Sequence, residues 1–386
     1  MKWRKKGHEF DEYAEFIKGA KKIYIFGAGV NGKVLTDSIH HFLQDEIEIV
    51  GFIDNNPKKQ GTMYLERKVY GLHEVEKGIP IVIAVACQHV NTVMAQLIAA
   101  GYCEKKNIFT FQNFLTLYCA YVKEKVFFPY ISVIPSTVCN LNCKACLNFT
   151  PYIKKHYVRT FEEVKADIDL FFSCVDYVGL FYISGGEPLL YKNLNELIEY
   201  IGMNYRERIN VLGMPTNATV LPDDKLLEAL KKYEVCLTID DYREKLPEKA
   251  ERYNQTVKLL KESGVSFQEN KWDFWIDIKP KETDNTHFTE EELETYFDAC
   301  AVPWQDLRDK KLWACNYANY ANVAGLSTVN EKDYYDLTQH SKERQMELVE
   351  FRLGYNERGY TEFCKNCSGY LNINKNIVEA GEQYER

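Results

Sequence analysis

Short apolar runs, each giving way to an amphipathic segment, recur in two blocks along this chain, and that rhythm leaves few folds open. In the first block, Lys-Lys-Ile-Tyr-Ile-Phe at 21–26 ends in Gly27-Ala-Gly29-Val-Asn-Gly32. A helical stripe of Val34, Leu35, Ile39 and Phe42 follows, then a strand over 47–53 closed by Asp54-Asn-Asn-Pro57. A third run at 79–86 leads into a helix near 90–100. Strand alternating with helix at this pitch predicts a small parallel α/β domain over residues 1–118. The rhythm restarts near Phe127, with strands expected at 131–135, 178–184, 209–215 and 235–240. Thr160 with Glu163 reads as a capping box that starts a helix with an apolar stripe of Val164, Ile168 and Phe171. Repeated βα units over 127–285 predict a partial (β/α)6 TIM-like barrel, whose reactive groups belong at the C-terminal strand ends. Residues 286–386 break the rhythm and read as a loop-rich, aromatic, cysteine-containing extension.

Composition narrows the function classes. No apolar run approaches the ~20 residues of a membrane span. The basic start, Met1-Lys-Trp-Arg-Lys-Lys, is followed by Glu9, Asp11 and Glu12 instead of an apolar core, so no secretory signal is expected and the location is read as cytoplasmic. A net charge of −8 argues against nonspecific nucleic-acid binding. In a reducing compartment twelve cysteines are a poor disulfide framework. Cys87, Cys103, Cys119, Cys174 and Cys236 stand singly in apolar surroundings and read as small core residues, whereas the other seven fall into two clusters.

The first cluster, Cys139-Asn-Leu-Asn-Cys143-Lys-Ala-Cys146, directly follows a strand. Thiols at this spacing can wrap one soft metal centre, iron–sulfur or zinc. Three ligands leave a coordination position open, as a reactive site requires. The bland alternative is a zinc knuckle with a distant fourth ligand. At the next strand end stands Tyr182-Ile-Ser184-Gly185-Gly186-Glu187-Pro188, and after the third strand Pro215-Thr216-Asn217. Two glycines admit a ligand close to the backbone, and a carboxylate can accept from an ammonium.

This ordered set resembles the radical S-adenosylmethionine superfamily, over roughly residues 128–270. The resemblance implies that Cys139, Cys143 and Cys146 ligate a 4Fe–4S cluster with one iron left for S-adenosylmethionine. It implies that Gly185, Gly186, Glu187, Thr216 and Asn217 bind that cofactor. The chemistry implied is reductive cleavage to a 5′-deoxyadenosyl radical that abstracts a substrate hydrogen, an oxidoreductase-type reaction fed by a donor such as flavodoxin or ferredoxin. Two positions depart from the family pattern. Ala218 replaces a glycine, and Ala145 replaces the aromatic residue that packs near adenine, for which Phe149 or another aromatic is a substitute. Asp240, Asp241 and Tyr242, at a strand end, read either as pocket residues or as ordinary turn chemistry.

The second cluster is Cys300, Cys315, Cys364 and Cys367, the last two forming a tight C-x2-C hook. Four thiols complete a coordination sphere and can hold an auxiliary 4Fe–4S cluster or a structural zinc. The stretch resembles the twitch extension, a short relative of the SPASM domain, which implies one auxiliary cluster.

Gly27-x-Gly29-x-x-Gly32 follows a strand and opens a helix, with Asp54 lying 22 residues beyond Gly32. This is the context of a dinucleotide fingerprint, with a phosphate at the helix N-terminus and Asp54 on ribose hydroxyls. Together with Gly51-Phe-Ile-Asp54-Asn-Asn-Pro57 it resembles small Rossmann-like domains attached to sugar-modifying enzymes. A nucleotide or nucleotide-sugar, a nicotinamide cofactor and a degenerate scaffold remain open there. Arg67 and Lys68 read as solvated loop charges. Three readings of function follow: a radical enzyme acting on a small carbohydrate or nucleotide-linked substrate, a peptide-modifying maturase of the same chemistry, and a non-catalytic iron–sulfur or zinc scaffold.

Overall fold

In the computed structural model, which describes residues 1–44, 46–104, 106–300 and 304–385, strand and helix alternate as the sequence rhythm predicts. The side chain of Cys87 also lies outside the described parts. The chain divides into two compact units, one of Lys5–Pro129 and one of Met1–Arg4 with Tyr130–Arg386.

The first unit contains α1 (Asp11–Gly19), β1 (Lys22–Phe26), α2 (Val30–Leu43), β2 (Glu48–Ile53), β3 (Met63–Tyr64), β4 (Arg67–Tyr70), β5 (Ile81–Ile83), α3 (Cys87–Ala99), β6 (Ile108–Thr110) and α4 (Phe111–Tyr118). Its six strands lie in the order β3-β4-β2-β1-β5-β6, parallel except for the β3–β4 pair. Gly27 joins β1 to its helix with a φ of +125°, and a Cβ there would sit 2.5 Å from the Ala84 carbonyl oxygen. Only glycine fits so close a crossing of backbones.

Strand β7 (Phe127–Val133) crosses the boundary, and the second unit runs on through α5 (Phe161–Cys174), β8 (Tyr177–Ile183), α6 (Leu194–Tyr205), β9 (Ile209–Thr216), α7 (Asp224–Lys232), β10 (Cys236–Asp240), α8 (Ala250–Ser263) and β11 (Phe267–Asn270). It continues through β12 (Phe274–Ile276), α9 (Glu290–Cys300), β13 (Asp306–Arg308), β14 (Lys311–Trp313), α10 (Asn316–Val323), β15 (Tyr334–Asp336), α11 (Gln345–Arg352) and β16 (Ile377–Glu379). The expected capping box starts α5: Thr160 Oγ1 accepts from the Glu163 N–H at 3.3 Å and Glu163 Oε2 accepts from the Thr160 N–H at 2.8 Å. Val164, Ile168 and Phe171 are all buried beneath it.

The main sheet runs β11-β10-β9-β8-β7-β13-β14-β15. Strands β8 to β11 pair in parallel, and β7 pairs in parallel with β13. Among the described residues β11 and β15 end this sheet, and the C-terminal hundred residues contribute three of its strands. Strand β13 joins the barrel-type strands directly, Asp306 opposite Ser132, and β14 and β15 add antiparallel beyond it. The isolated cysteines also depart in part from a core role: Cys119 is buried, Cys174 and Cys236 are half-buried, and Cys103 is exposed. No helix among the described residues is long and apolar enough to cross a membrane.

Asp306, on the joining strand, is 1% exposed, and burial pushes its carboxyl up to about 7 although Asn319 Nδ2 donates to it at 3.2 Å. The folded chain then holds this proton more tightly than the unfolded one. Stability from the site is present below the unfolded value near 4 and is lost as pH rises through about 7. Asp306→Asn should melt progressively higher relative to the parent as pH rises from about 5 to about 8. Scanning calorimetry across that range checks this, and a pH-independent difference would count against it.

Candidate active site

The cysteine loop lies between β7 and α5, and its placement is set by backbone more than by side chains. Ser184 N–H donates to the Val133 carbonyl at 2.9 Å, Gly186 N–H to Ser136 at 2.9 Å and Glu187 N–H to Val138 at 2.8 Å. The loop before Cys139 and the Gly-Gly-Glu loop after β8 are thus laced together. A Cβ on Gly186 would stand 2.2 Å from the Val138 carbonyl oxygen, and one on Gly185 2.2 Å from that of Ser136. The glycines are demanded by this approach of two strand-end loops.

Cys143 is buried, with Cys139 and Cys146 partly so, and all three group with Leu141, Leu246, Tyr242 and Trp275. Burial pushes the Cys139 and Cys143 thiols up to about 12. Two donors reach these sulfurs, the Leu141 N–H on Cys139 at 3.5 Å and Gln383 Nε2 on Cys143 at 3.0 Å, while the Cys146 thiol itself donates to Thr150 Oγ1 at 3.6 Å.

Glu187 is 3% exposed and its carboxylate is engaged by the chain itself. Oε1 accepts from Thr216 Oγ1 at 2.8 Å and Leu189 N–H at 3.1 Å, and Oε2 accepts from Asn217 N–H at 2.8 Å. Burial raises this carboxyl to about 7 against those donors. Glu187 therefore ties the end of β8 to the end of β9. Ala218 takes up the left-handed backbone, φ +54°, that a glycine would adopt without strain.

Several residues here carried no sequence signal. Asn140 accepts from Asn217 Nδ2 at 3.0 Å and donates to Thr219 Oγ1 at 2.7 Å, which joins the cysteine loop to β9. The Gly185 carbonyl accepts from Asn148 and, at 3.4 Å, from Tyr320 on α10. Phe149, expected as a substitute for adenine stacking, is instead buried against Phe363 at a ring distance of 5.4 Å. Its φ of +52° turns it into the core. The acidic pair at the end of β10 divides. Asp240 accepts from Trp272 Nε1 at 2.9 Å and burial raises its carboxyl, while Asp241 is held low by Arg243, which donates at 2.7 and 2.8 Å. Burial, then Asp240 and Cys143, hold the Tyr242 hydroxyl well above its ordinary range. Asp240 and Tyr242 face the cysteine loop, and Asp241 is turn chemistry.

Residues 133–275 match the family described as the Radical SAM superfamily. That stretch is a radical SAM domain. Residues 19–108 match a second family, described as C2185-like, N-terminal. No curated protein matches the chain. Among solved structures it is similar to BtrN in complex with AdoMet and 2-DOIA, at 18% identity over 67% of this chain and 97% of that one, TM-score 0.41. It is similar to native anSMEcpe with bound AdoMet, at 14% identity over 63% and 93%, TM-score 0.36. It is also similar to Streptococcus suis SuiB bound to precursor peptide SuiA, at 19% identity over 54% and 48%, TM-score 0.31.

Radical SAM enzymes use a 4Fe–4S cluster and S-adenosylmethionine, and the donors of the cysteine loop suit such a cluster. They are soft thiols, enclosed by apolar side chains, and no carboxylate or imidazole bonds to them among the described residues. No three Cys, His, Asp or Glu side chains among the described residues close around a single ion. Thiols that bind separate irons stand wider apart than the ligands of one ion.

Cys300, Cys315, Cys364 and Cys367 all line one cavity of about 280 Å³. Cys315 is the N-cap residue of α10, and the hook of Cys364 and Cys367 is pinned by Asn285 Nδ2, which donates to both of their carbonyls at 2.9 and 3.0 Å. The fold therefore brings this sequence-predicted set together.

In the first unit Asp54 does not stand free for ribose. Its Oδ2 accepts from the Ala28 N–H at 3.1 Å and from Lys59 Nζ at 2.9 Å. Gly32 packs against the Gly27 carbonyl, where a Cβ would lie at 2.1 Å, while none of the described residues lies within 4 Å of a Cβ placed on Gly29. Arg67 differs from a solvated charge, since its guanidinium donates to the Ile49 and Leu65 carbonyls at 3.1 Å each.

This contrast between glycines is testable. Gly186→Ala should cost about 3 kcal/mol, at the upper end of overpacking effects, while Gly29→Ala stays within about 0.5 kcal/mol. Denaturant unfolding of the two variants checks the ordering.

Proposed function

We propose that this radical SAM enzyme abstracts hydrogen from a carbohydrate or nucleotide-linked substrate, with Cys139, Cys143 and Cys146 as the cluster ligands. The cluster assignment rests on the lacing of the cysteine loop to the Gly185–Glu187 loop, which sets three thiols beside that backbone at strand ends, and the substrate class rests on the glycine turn of the first unit. Held by Cys139, Cys143 and Cys146, a 4Fe–4S cluster with S-adenosylmethionine would supply one-electron radical chemistry at this site. The chain's own part is positional. Asn148 and Tyr320 fix the Gly185 carbonyl for a cofactor ammonium, and Glu187 sets Thr216 and Asn217 toward the same cofactor. Asp240 and Tyr242 line the far side, and the apolar wall of Leu141, Leu246 and Trp275 excludes water.

The four thiols of the second cavity hold an auxiliary 4Fe–4S cluster on this reading, as in a twitch-type extension. The Gly27–Gly32 turn binds a nucleotide or nucleotide-sugar at the start of α2, beside Gly29, with Lys59 able to exchange Asp54 for a phosphate. A flavodoxin- or ferredoxin-type protein donates the electron.

Anaerobic reconstitution should give about eight irons per chain, and about four would remove the auxiliary iron–sulfur cluster from the proposal. Dithionite with S-adenosylmethionine should release 5′-deoxyadenosine. No release, together with an unchanged cluster spectrum in Cys143→Ala, would overturn the assignment of the first site. Thermal-shift measurements with nucleotide-sugars test the first unit: stabilisation by at least one of them is expected, and none would mark it as a scaffold.

A further inference from the structure

The C-terminal tail lies along the cysteine loop. It enters through β16, paired antiparallel with β12, and an ion pair between Lys245 and Glu379 anchors that end. At Gly381, φ +78°, the backbone crosses Tyr242 so closely that a Cβ would meet the ring at 2.9 Å. Beyond it the tail forms an antiparallel bridge with the loop, Gln383 opposite Cys143. Lys144 N–H donates to the Glu382 carbonyl at 2.7 Å, Tyr384 N–H to the Asn142 carbonyl at 2.9 Å, and Lys144 Nζ pairs with Glu382 at 2.6 Å.

The side chain of Gln383 is fixed within this bridge. Its Oε1 accepts from the Asn142 N–H at 2.6 Å, which leaves Nε2 to donate to Cys143 Sγ at 3.0 Å and to the Gly381 carbonyl at 2.7 Å. The Asn142 donor settles which end of the amide is the oxygen. An N–H aimed at a cysteine sulfur withdraws charge from it, and such bonds are among the determinants of an iron–sulfur cluster's potential.

We propose that Gln383 is a positioning residue for the cluster on Cys143, holding that sulfur by an N–H···S bond which raises the cluster's reduction potential. This rests on the reading of Cys139, Cys143 and Cys146 as cluster ligands. The direction follows from charge: reduction adds an electron to the cluster, and a donor on a ligand sulfur stabilises the more negative state.

Gln383→Leu removes the donor while keeping a side chain of similar bulk, so the potential should fall. The measurement is an EPR-monitored redox titration of the full reconstituted chain, following the signal that changes when S-adenosylmethionine is added. Gln383→Glu, which presents an anion to the sulfur, should lower the potential further. Loss of that signal from Gln383→Leu, in a chain whose circular dichroism and melting temperature match the parent, also supports the proposal. A potential unchanged or raised in both variants overturns it. Failure of the underlying reading looks different: Cys143→Ala would then leave the parent's S-adenosylmethionine-responsive signal intact.

Discussion

Two main-chain hydrogen bonds, from Gly186 to Ser136 and from Glu187 to Val138, are the constraint on which the site depends. Each contributes only about 0.5–1.5 kcal/mol net. Their effect is geometric, because they hold two strand-end loops at a separation that no side chain could share. Glu187, fixed by the same contact, then carries its buried carboxylate to Thr216 and Asn217. Asn140 closes the circuit from the cysteine loop back to Asn217. Three successive strand ends are thereby joined, and the thiols project from the first of them.

The C-terminal hundred residues complete this arrangement. Strand β13 extends the sheet beside β7, so helix α10 is anchored to the same framework as the cysteine loop. One end of α10 carries Cys315, and five residues further Tyr320 reaches the Gly185 carbonyl. The helix thus belongs to both thiol clusters. The tail that bonds to Cys143 makes the same point from the other end of the chain, 240 residues away in sequence.

Much of the first cluster was legible because its signals are local. Three cysteines in one loop, two glycines and a glutamate in the next, and a capping box at Thr160 each depend on neighbours a few residues apart. Phe149 shows where local reading ends: its position beside Cys146 suggests a ligand contact, yet Phe363 buries it. Asp54 shows the same in the first unit, where a motif carboxylate is engaged by Lys59 and the Ala28 N–H. The pair Asp240 and Asp241 could not be separated by inspection, since only the position of Trp272 against Arg243 assigns one to the interior and one to a turn.

By itself the sequence determined the alternation of strand and helix, the grouping of thiols into three and four, and the superfamily to which residues 133–275 belong. These follow from periodicity and spacing, which act over one turn or one loop. Only the tertiary structure decided that the last hundred residues join the main sheet, that Glu187 spends its carboxylate on the next strand end, and that Gln383 faces Cys143. Those choices rest on single polar groups meeting across long stretches of chain. Burial gives such meetings their value, and burial exists only once the chain has folded.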